Sequence, residues 1–124
     1  AYEVEIVIQN AGASKIAFCL LNDKGEKVSM YYDLNRKQFV MDRSESGTVD
    51  FSKDFPAVTV APVNVDKELT LRLFVDRSSI EAFGEDGKFV MTNLVFPSRP
   101  YVKMCFEADK NGYAVKSLNV YKLQ

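Results

Sequence analysis

The chain has 124 residues, of which 47% are hydrophobic and 27% charged, with a formal net charge of −1. This is the size and make-up of one globular domain, able to bury roughly two-thirds of the surface its unfolded form exposes. With no basic cluster and no apolar run near the ~18 residues that span a bilayer, neither nucleic acid nor membrane is expected as a partner.

Taken in order, the chain reads as strand after strand. Tyr2, Val4, Ile6 and Ile8 alternate with Glu3, Glu5 and Gln9, with Val7 as the exception. A period of two marks a strand with one buried face. Asn10 to Ser14 is small and polar, a loop. Lys15 to Leu21 is apolar on both faces, as expected inside a sandwich, and Asn22-Asp23-Lys24-Gly25 turns it back. Val28, Met30 and Tyr32 continue the rhythm. Asn35-Arg36-Lys37 is another reversal before Gln38 to Asp42, and Ser44 to Gly47 is a turn. From Thr48 to Pro62 the pattern weakens, and Phe51, Phe55, Pro56 and Pro62 predict an irregular crossover.

The stretch from Leu69 to Ser98 carries the clearest signal. Leu69, Leu71, Leu73 and Val75 recur at every second position, while Thr70, Arg72 and Phe74 lie on the other face. Asp76-Arg77-Ser78-Ser79 breaks the pattern with short polar side chains that favour turns. Ile80 to Phe83 resumes it, and Gly84-Glu85-Asp86-Gly87 is a second reversal. Lys88 to Phe96 makes a third strand, stopped by Pro97, which has no N–H to give a ladder. Tyr101 to Ala108 is a further strand, Asp109 to Gly112 a turn, and Tyr113 to Leu123 the last strand. No amphipathic helix of ordinary length is evident. Many short strands with evenly spaced turns argue an all-β sandwich or barrel.

The chemistry is narrow. There is no histidine, which removes the commonest general base, the usual nucleophilic triads and most zinc sites. No metal-ligand spacing and no cofactor motif is present, so none is expected. Cys19 and Cys105 fall on separate predicted strands. Two buried free thiols is the simpler reading, and a disulfide is the alternative.

FVDRSSIEAFGEDGKFVMTNLVFPS resembles the signature of the C-terminal β-sandwich module of glycoside hydrolase family 32, which includes invertases, levanases and inulinases. The matching positions are Asp76, Ser78, Ser79, Ile80, Glu81, Phe83, Gly87, Thr92, Phe96 and Pro97. FVMDRSESG (Phe39 to Gly47) is similar to a second run of that family, and VKSLNVYKL (Val115 to Leu123) to its closing strand. The resemblance covers nearly the whole chain and implies a two-sheet antiparallel β-sandwich, jelly-roll or concanavalin-like, as a single domain over residues 1–124. It implies that the family's N-terminal five-bladed propeller is absent here, and a first residue of Ala rather than Met suits a piece of something longer.

The family's catalytic groups belong to that propeller, in a Trp-Met-Asn-Asp-Pro-Asn-Gly motif, an Arg-Asp-Pro motif and a Glu-Cys motif. This chain has no Trp, no Arg-Asp-Pro and no Glu-Cys. LLNDKGE (Leu20 to Glu26) shares Asn-Asp with the first, but a hairpin turn accounts for it. No catalytic residue is therefore expected. Asp42, Arg43, Ser44, Asp76, Arg77, Ser78, Ser79, Glu81 and Phe83 are the candidate structural or interface residues. Turn chemistry explains the Asp and Ser residues unaided, and Glu81 is expected to satisfy backbone donors or pair with an arginine. Tyr2, Tyr31, Tyr32, Tyr101, Tyr113 and Tyr121 are candidates for stacking on a sugar, although most are expected in core or edge packing.

The resemblance thus implies a non-catalytic accessory domain of a fructan- or sucrose-hydrolysing glycosidase, a retaining β-fructofuranosidase. It would stabilise the propeller of its own chain, with a homodimer as a further partner. A domain parted from such a partner should expose an apolar patch. The alternative is a carbohydrate-binding module that holds fructan near the catalytic domain. The parent would be secreted or periplasmic, although no signal-peptide pattern occurs in this stretch.

Overall fold

Inward-facing side chains on alternate residues dictate the architecture. In the computed structural model, which describes residues 1–47, 58–63, 68–84, 89–95, 97–108 and 112–122, ten strands form two antiparallel sheets. They are β1 (Tyr2–Asn10), β2 (Lys15–Leu21), β3 (Lys27–Asp33), β4 (Gln38–Asp42), β5 (Val58–Pro62), β6 (Glu68–Val75), β7 (Ser79–Gly84), β8 (Phe89–Leu94), β9 (Lys103–Ala108) and β10 (Tyr113–Lys122). One sheet has the order β10-β1-β6-β7-β8 and the other β5-β4-β3-β2-β9. This is the expected all-β sandwich, with no helix among the described residues.

The core is the alternation made three-dimensional. Val4, Ile6 and Ile8 of β1 and Leu69, Leu71, Leu73 and Val75 of β6 face inward from the first sheet. Ile16, Phe18 and Leu20 of β2, Val28, Met30 and Tyr32 of β3, and Phe39 and Met41 of β4 meet them from the second. Each such side chain contributes about 1.5–3 kcal/mol through its removal from water. A slip of one residue in any of these strands would turn that whole set outward, which is why the register is firm.

Turns close where the sequence supplies side-chain acceptors. Asn10 Oδ1 accepts from the N–H of Gly12 at 3.0 Å and of Ala13 at 2.7 Å. Asn22 Oδ1 accepts from Lys24 and Glu26, and Gly25 (φ 79°) takes the left-handed residue of that turn, a conformation with no steric cost for glycine. The second reversal of the central stretch, at Glu85 to Gly87, and the turn expected from Asp109 lie outside the described residues, as does Phe96.

One expectation is overturned. The crossover predicted from Thr48 to Pro62 ends in a regular strand, β5, paired along its length with β4. Its alternation is inverted: Val58 and Val60 face solvent, 48% and 51% exposed, while Thr59 and Ala61 turn inward. An edge strand with small or polar residues inside carries no hydrophobic period. Residues 48–57 of the same stretch lie outside the described residues.

The two long edges of the sandwich differ. At the β5/β8 edge the sheets are fastened together, because buried Asn93 donates from Nδ2 to Thr59 Oγ1 at 3.0 Å. At the β10/β9 edge they stay apart. Leu118 and Val120 are cross-strand partners of the buried Ile6 and Val4 and so face inward, yet they are 42% and 62% exposed. The facing sheet does not cover them.

Candidate functional site

Both Asp-Arg-Ser turns stand at the same end of the sandwich, one on each sheet. Asp42 pairs with Ser29 and Val58 at the foot of the second sheet, and its Oδ1 accepts from the N–H of Ser44 at 2.9 Å, shaping the turn. Arg43 is buried despite its charge, with 1% exposure. At the foot of the first sheet, the N–H of Asp76 donates to the carbonyl of Ser79 at 2.9 Å. Asp76 Oδ1 accepts from the N–H of Arg77 at 2.7 Å. Asp76, Arg77 and Ser78 are exposed, and Ser79 is partly so.

What joins them is the connection from β8 to β9. Val95 donates its N–H to the carbonyl of Ser78, and buried Tyr101 donates its hydroxyl to the carbonyl of Ser46. Tyr2 donates to the carbonyl of Tyr101 at 2.9 Å. Burial pushes the hydroxyls of both Tyr2 and Tyr101 up to about 12, because the phenolate would lose its water. The same connection is stapled to the β2–β3 turn. Glu26 Oε1 accepts from Asn22 Nδ2 at 2.9 Å, and from Ser98 N and Oγ at 2.8 Å each. Those donors, Asn22 foremost and Ser98 next, hold the Glu26 carboxyl below the usual carboxylate range. Asn22 Nδ2 also donates to the carbonyl of Arg99, and Arg99 pairs with Asp23 at 3.3 Å. Between these turns lies a cleft of about 760 Å³ bounded by Ala1, Tyr2, Asp76, Arg77, Ser98 and Tyr101.

Glu81 and Phe83 are placed elsewhere, on the outer face of the first sheet. The register sets out two rows across it. One runs Tyr121, Glu3, Phe74, Glu81, Thr92, and the other Asn119, Glu5, Arg72, Phe83, Val90. Arg72 is gripped by both neighbouring glutamates, Nε to Glu3 Oε1 at 2.9 Å and Nη2 to Glu5 Oε1 at 2.7 Å. The Glu5 hydrogen bond and the Glu3 charge raise its already high pKa. Phe74 and Phe83 pack edge to face with ring centres 5.6 Å apart. Glu81 makes neither of its expected pairings among the described residues, since Arg72 is taken by β1. Sequence reasoning missed the Glu3–Arg72–Glu5 group. The parity of Glu3 and Glu5 puts both on one face, but only the β1–β6 pairing supplies the arginine.

The tyrosines divide as their burial dictates. Tyr32 and Tyr101 are core, while Tyr31 lies under Lys15 Nζ at 4.2 Å on the outer face of the second sheet. Tyr121 is 46% exposed.

Cys19 and Cys105 form a disulfide, so the simpler reading of two free thiols is set aside. The cause is register: β2 and β9 are antiparallel neighbours and place the two cysteines directly opposite each other. No group of three or more acidic, cysteine or histidine residues able to hold a metal occurs among the described residues.

The open β10/β9 edge forms a groove of about 380 Å³, in which Leu118 and Val120 stand against Leu20, Tyr101, Val102 and Met104. Val102 is the most exposed of them at 71%.

Known proteins share this fold. Residues 1–122 match the family model described as glycosyl hydrolases family 32 C terminal. The chain is 34% identical over 128 aligned residues to a levanase of Bacillus subtilis, across 100% of this chain and 19% of that protein. It is 39% identical over 75 residues to an extracellular exo-inulinase of Aspergillus awamori, across 59% of this chain and 14% of that one. The crystal structure of the Aspergillus awamori exo-inulinase superposes with a TM-score of 0.82 at 30% identity, covering 99% of this chain and 25% of that structure. A double mutant of congerin II, at 8% identity and a TM-score of 0.64 over 97% of this chain and 90% of that one, shares the fold alone. The chain therefore spans about a fifth of the length of the levanase it matches, and it belongs to glycosyl hydrolase family 32 as a C-terminal domain of that family.

Proposed function

We propose that this domain is a non-catalytic accessory module of a fructan- or sucrose-hydrolysing glycosidase, and that it works by packing against the catalytic domain of its own chain and stabilising it. The observation that carries this reading is the open β10/β9 edge. An apolar groove with Leu118, Val120 and Val102 in water is costly in isolation and is the mark of a covered surface. Tyr2 lines the same groove, so in a chain of the relatives' length whatever precedes β1 leaves from beside it. Glycoside hydrolysis ordinarily requires two carboxyl groups flanking one bond. Here the close pair Glu3 and Glu5 is spent on a single guanidinium. The motifs that carry the family's catalytic carboxylates are missing from the sequence.

The parent enzyme, on this reading, is a retaining β-fructofuranosidase working outside the cytoplasm. The Cys19–Cys105 disulfide supports an oxidising compartment, and one relative is named an extracellular exo-inulinase.

The test is a pair of substitutions, Leu118→Asp and Val120→Asp, made in the full-length parent and in this chain alone. In this chain both sites are already exposed, so its melting temperature should stay put. In the parent the catalytic domain should melt earlier. An unchanged parent would overturn the proposal. If this chain alone sediments as a dimer that the same substitutions dissociate, the groove belongs to a second copy instead.

A second reading, in which the domain also holds saccharide, is favoured by the outer face of the first sheet.

A further inference from the structure

We infer that the outer face of the β10-β1-β6-β7-β8 sheet is a binding subsite for a neutral saccharide chain, centred on Phe83, Glu81 and Arg72. The inference deepens the second reading and rests on it for its choice of fructan. Recognition of an uncharged sugar asks for two things side by side. One is an apolar ring against which the C–H face of the sugar can lie. The other is a set of fixed donors and acceptors in reach of its hydroxyls, which a protein keeps ordered so that binding does not have to order them.

Both are present on adjacent strands. Phe74 and Phe83 are held edge to face and only partly buried, which leaves apolar ring surface in the open. Arg72, directly opposite Phe83, is locked by two glutamates, and its Nη1 is committed to neither of them. Glu81, directly opposite Phe74, has a carboxylate with no partner among the described residues and exposed Thr92 beside it. Hydroxyl groups can therefore donate to Glu81 and accept from Arg72, while a ring lies on Phe83. A hollow of about 580 Å³ lies over this part of the sheet, with Arg72, Phe74 and Phe83 among its walls.

The charge on the face narrows the ligand class. Glu3, Glu5 and Glu81 outnumber Arg72, so phosphorylated, sulfated and uronic-acid sugars would be repelled. Five strands at their usual spacing make a platform roughly 20 Å wide, suited to a run of sugar units rather than to one. A polyhydroxylated, uncharged oligosaccharide fits these conditions, and in this family a fructan is the natural candidate.

In the loop-end cleft, by contrast, the Glu26 carboxylate is saturated by Asn22 and Ser98, and the Tyr2 and Tyr101 hydroxyls are spent on backbone carbonyls. On the sheet face Arg72 is held in place by Glu3 and Glu5, and the Glu81 carboxylate beside it is uncommitted among the described residues.

The experiment is a titration of this chain with inulin-type and levan-type oligosaccharides, followed by backbone amide shifts. The same titration is run on Glu81→Gln, Phe83→Ala and, as a control in the cleft, Arg77→Ala. Glu81→Gln is nearly isosteric, so it tests the site even if Phe83→Ala fails to fold. The expected result is saturable binding with shifts on β6, β7 and β8. Glu81→Gln should weaken it by at least about tenfold, the worth of a charge-assisted hydrogen bond. Phe83→Ala should weaken it by a similar factor through the lost apolar ring contact, and Arg77→Ala should leave it unchanged. Saturable binding that Arg77→Ala abolishes and Glu81→Gln spares would overturn the site while leaving the sugar-holding reading intact. No saturable binding to either oligosaccharide would overturn both.

Discussion

Cys19 and Cys105 stand directly opposite each other on β2 and β9, their Cα atoms 5.2 Å apart, and tie residues 86 positions apart in sequence. β9 is an edge strand, held to its sheet by β2 alone. The bond therefore fixes one of the two edge strands of the second sheet. A cross-link closing so long a loop removes freedom mainly from the unfolded chain, and loop-closure entropy puts the effect at about 4.5 kcal/mol. The Cys19→Ser, Cys105→Ser double variant should unfold at a markedly lower urea concentration with an altered slope. Wild-type protein in reductant should match it. Identical curves with and without reductant would mean that the bond adds nothing to stability.

Glu26 is partly exposed, yet three donors converge on one of its oxygens. Because its folded pKa lies below the ordinary 4.5, its contribution is complete above that value. It is lost as pH falls through the lower folded value. Solvent screening keeps the effect small, about 1 kcal/mol for the group of hydrogen bonds. Glu26→Gln keeps an acceptor but loses the charge. It should cost stability at neutral pH and converge with wild type in acid, below the folded pKa, in urea melts run across that range. A constant gap at all pH values would contradict the assignment.

Tyr2 and Tyr101 give the opposite dependence. Each ionises near 10.0 when unfolded and only at about 12 when folded. The stabilisation is thus fully present below the unfolded value and drains away as pH rises toward the folded one. Phenolate absorbance should lag the ordinary tyrosine titration and then rise together with loss of the fold. Tyr101→Phe removes the hydrogen bond to the Ser46 carbonyl and should cost about 1–2 kcal/mol at neutral pH, read from its thermal melt. A Tyr101→Phe variant as stable as wild type would show the loop end to be held by other contacts.

The strands that sequence announces most clearly, β1, β3 and β6, are those with one face against the other sheet. There alternation and burial are the same fact. β5 is hard to read because its valines face water and its inward positions are Thr59 and Ala61, so its β-branched residues mark no buried face. The loop-end turns were legible for a local reason: Asn22, Asp42 and Asp76 act on N–H groups within four residues. What joins those turns was not legible. Tyr101 reaches Ser46 and Ser98 reaches Glu26 across more than fifty residues, and only tertiary packing brings such pairs within reach. The same holds for Arg72, whose partners Glu3 and Glu5 lie on a strand more than sixty residues away.

The place of β1 also governs the order in which the molecule can be made. It sits between β6 and β10, so within this domain the strand nearest the N-terminus is hydrogen-bonded on one side to the strand nearest the C-terminus. Tyr2 faces Lys122 across that ladder. Pairings so distant in sequence impose a heavy closure entropy and slow folding. On a ribosome, β2, β3 and β4 can associate as neighbouring hairpins while β1 waits with both edges bare until β6 emerges, and with one bare until β10 does. An unpaired apolar strand held open through most of synthesis is an aggregation hazard. The glutamates at positions 3 and 5 give that waiting strand a charged face, which would discourage it from pairing with another nascent chain before its own last strand arrives.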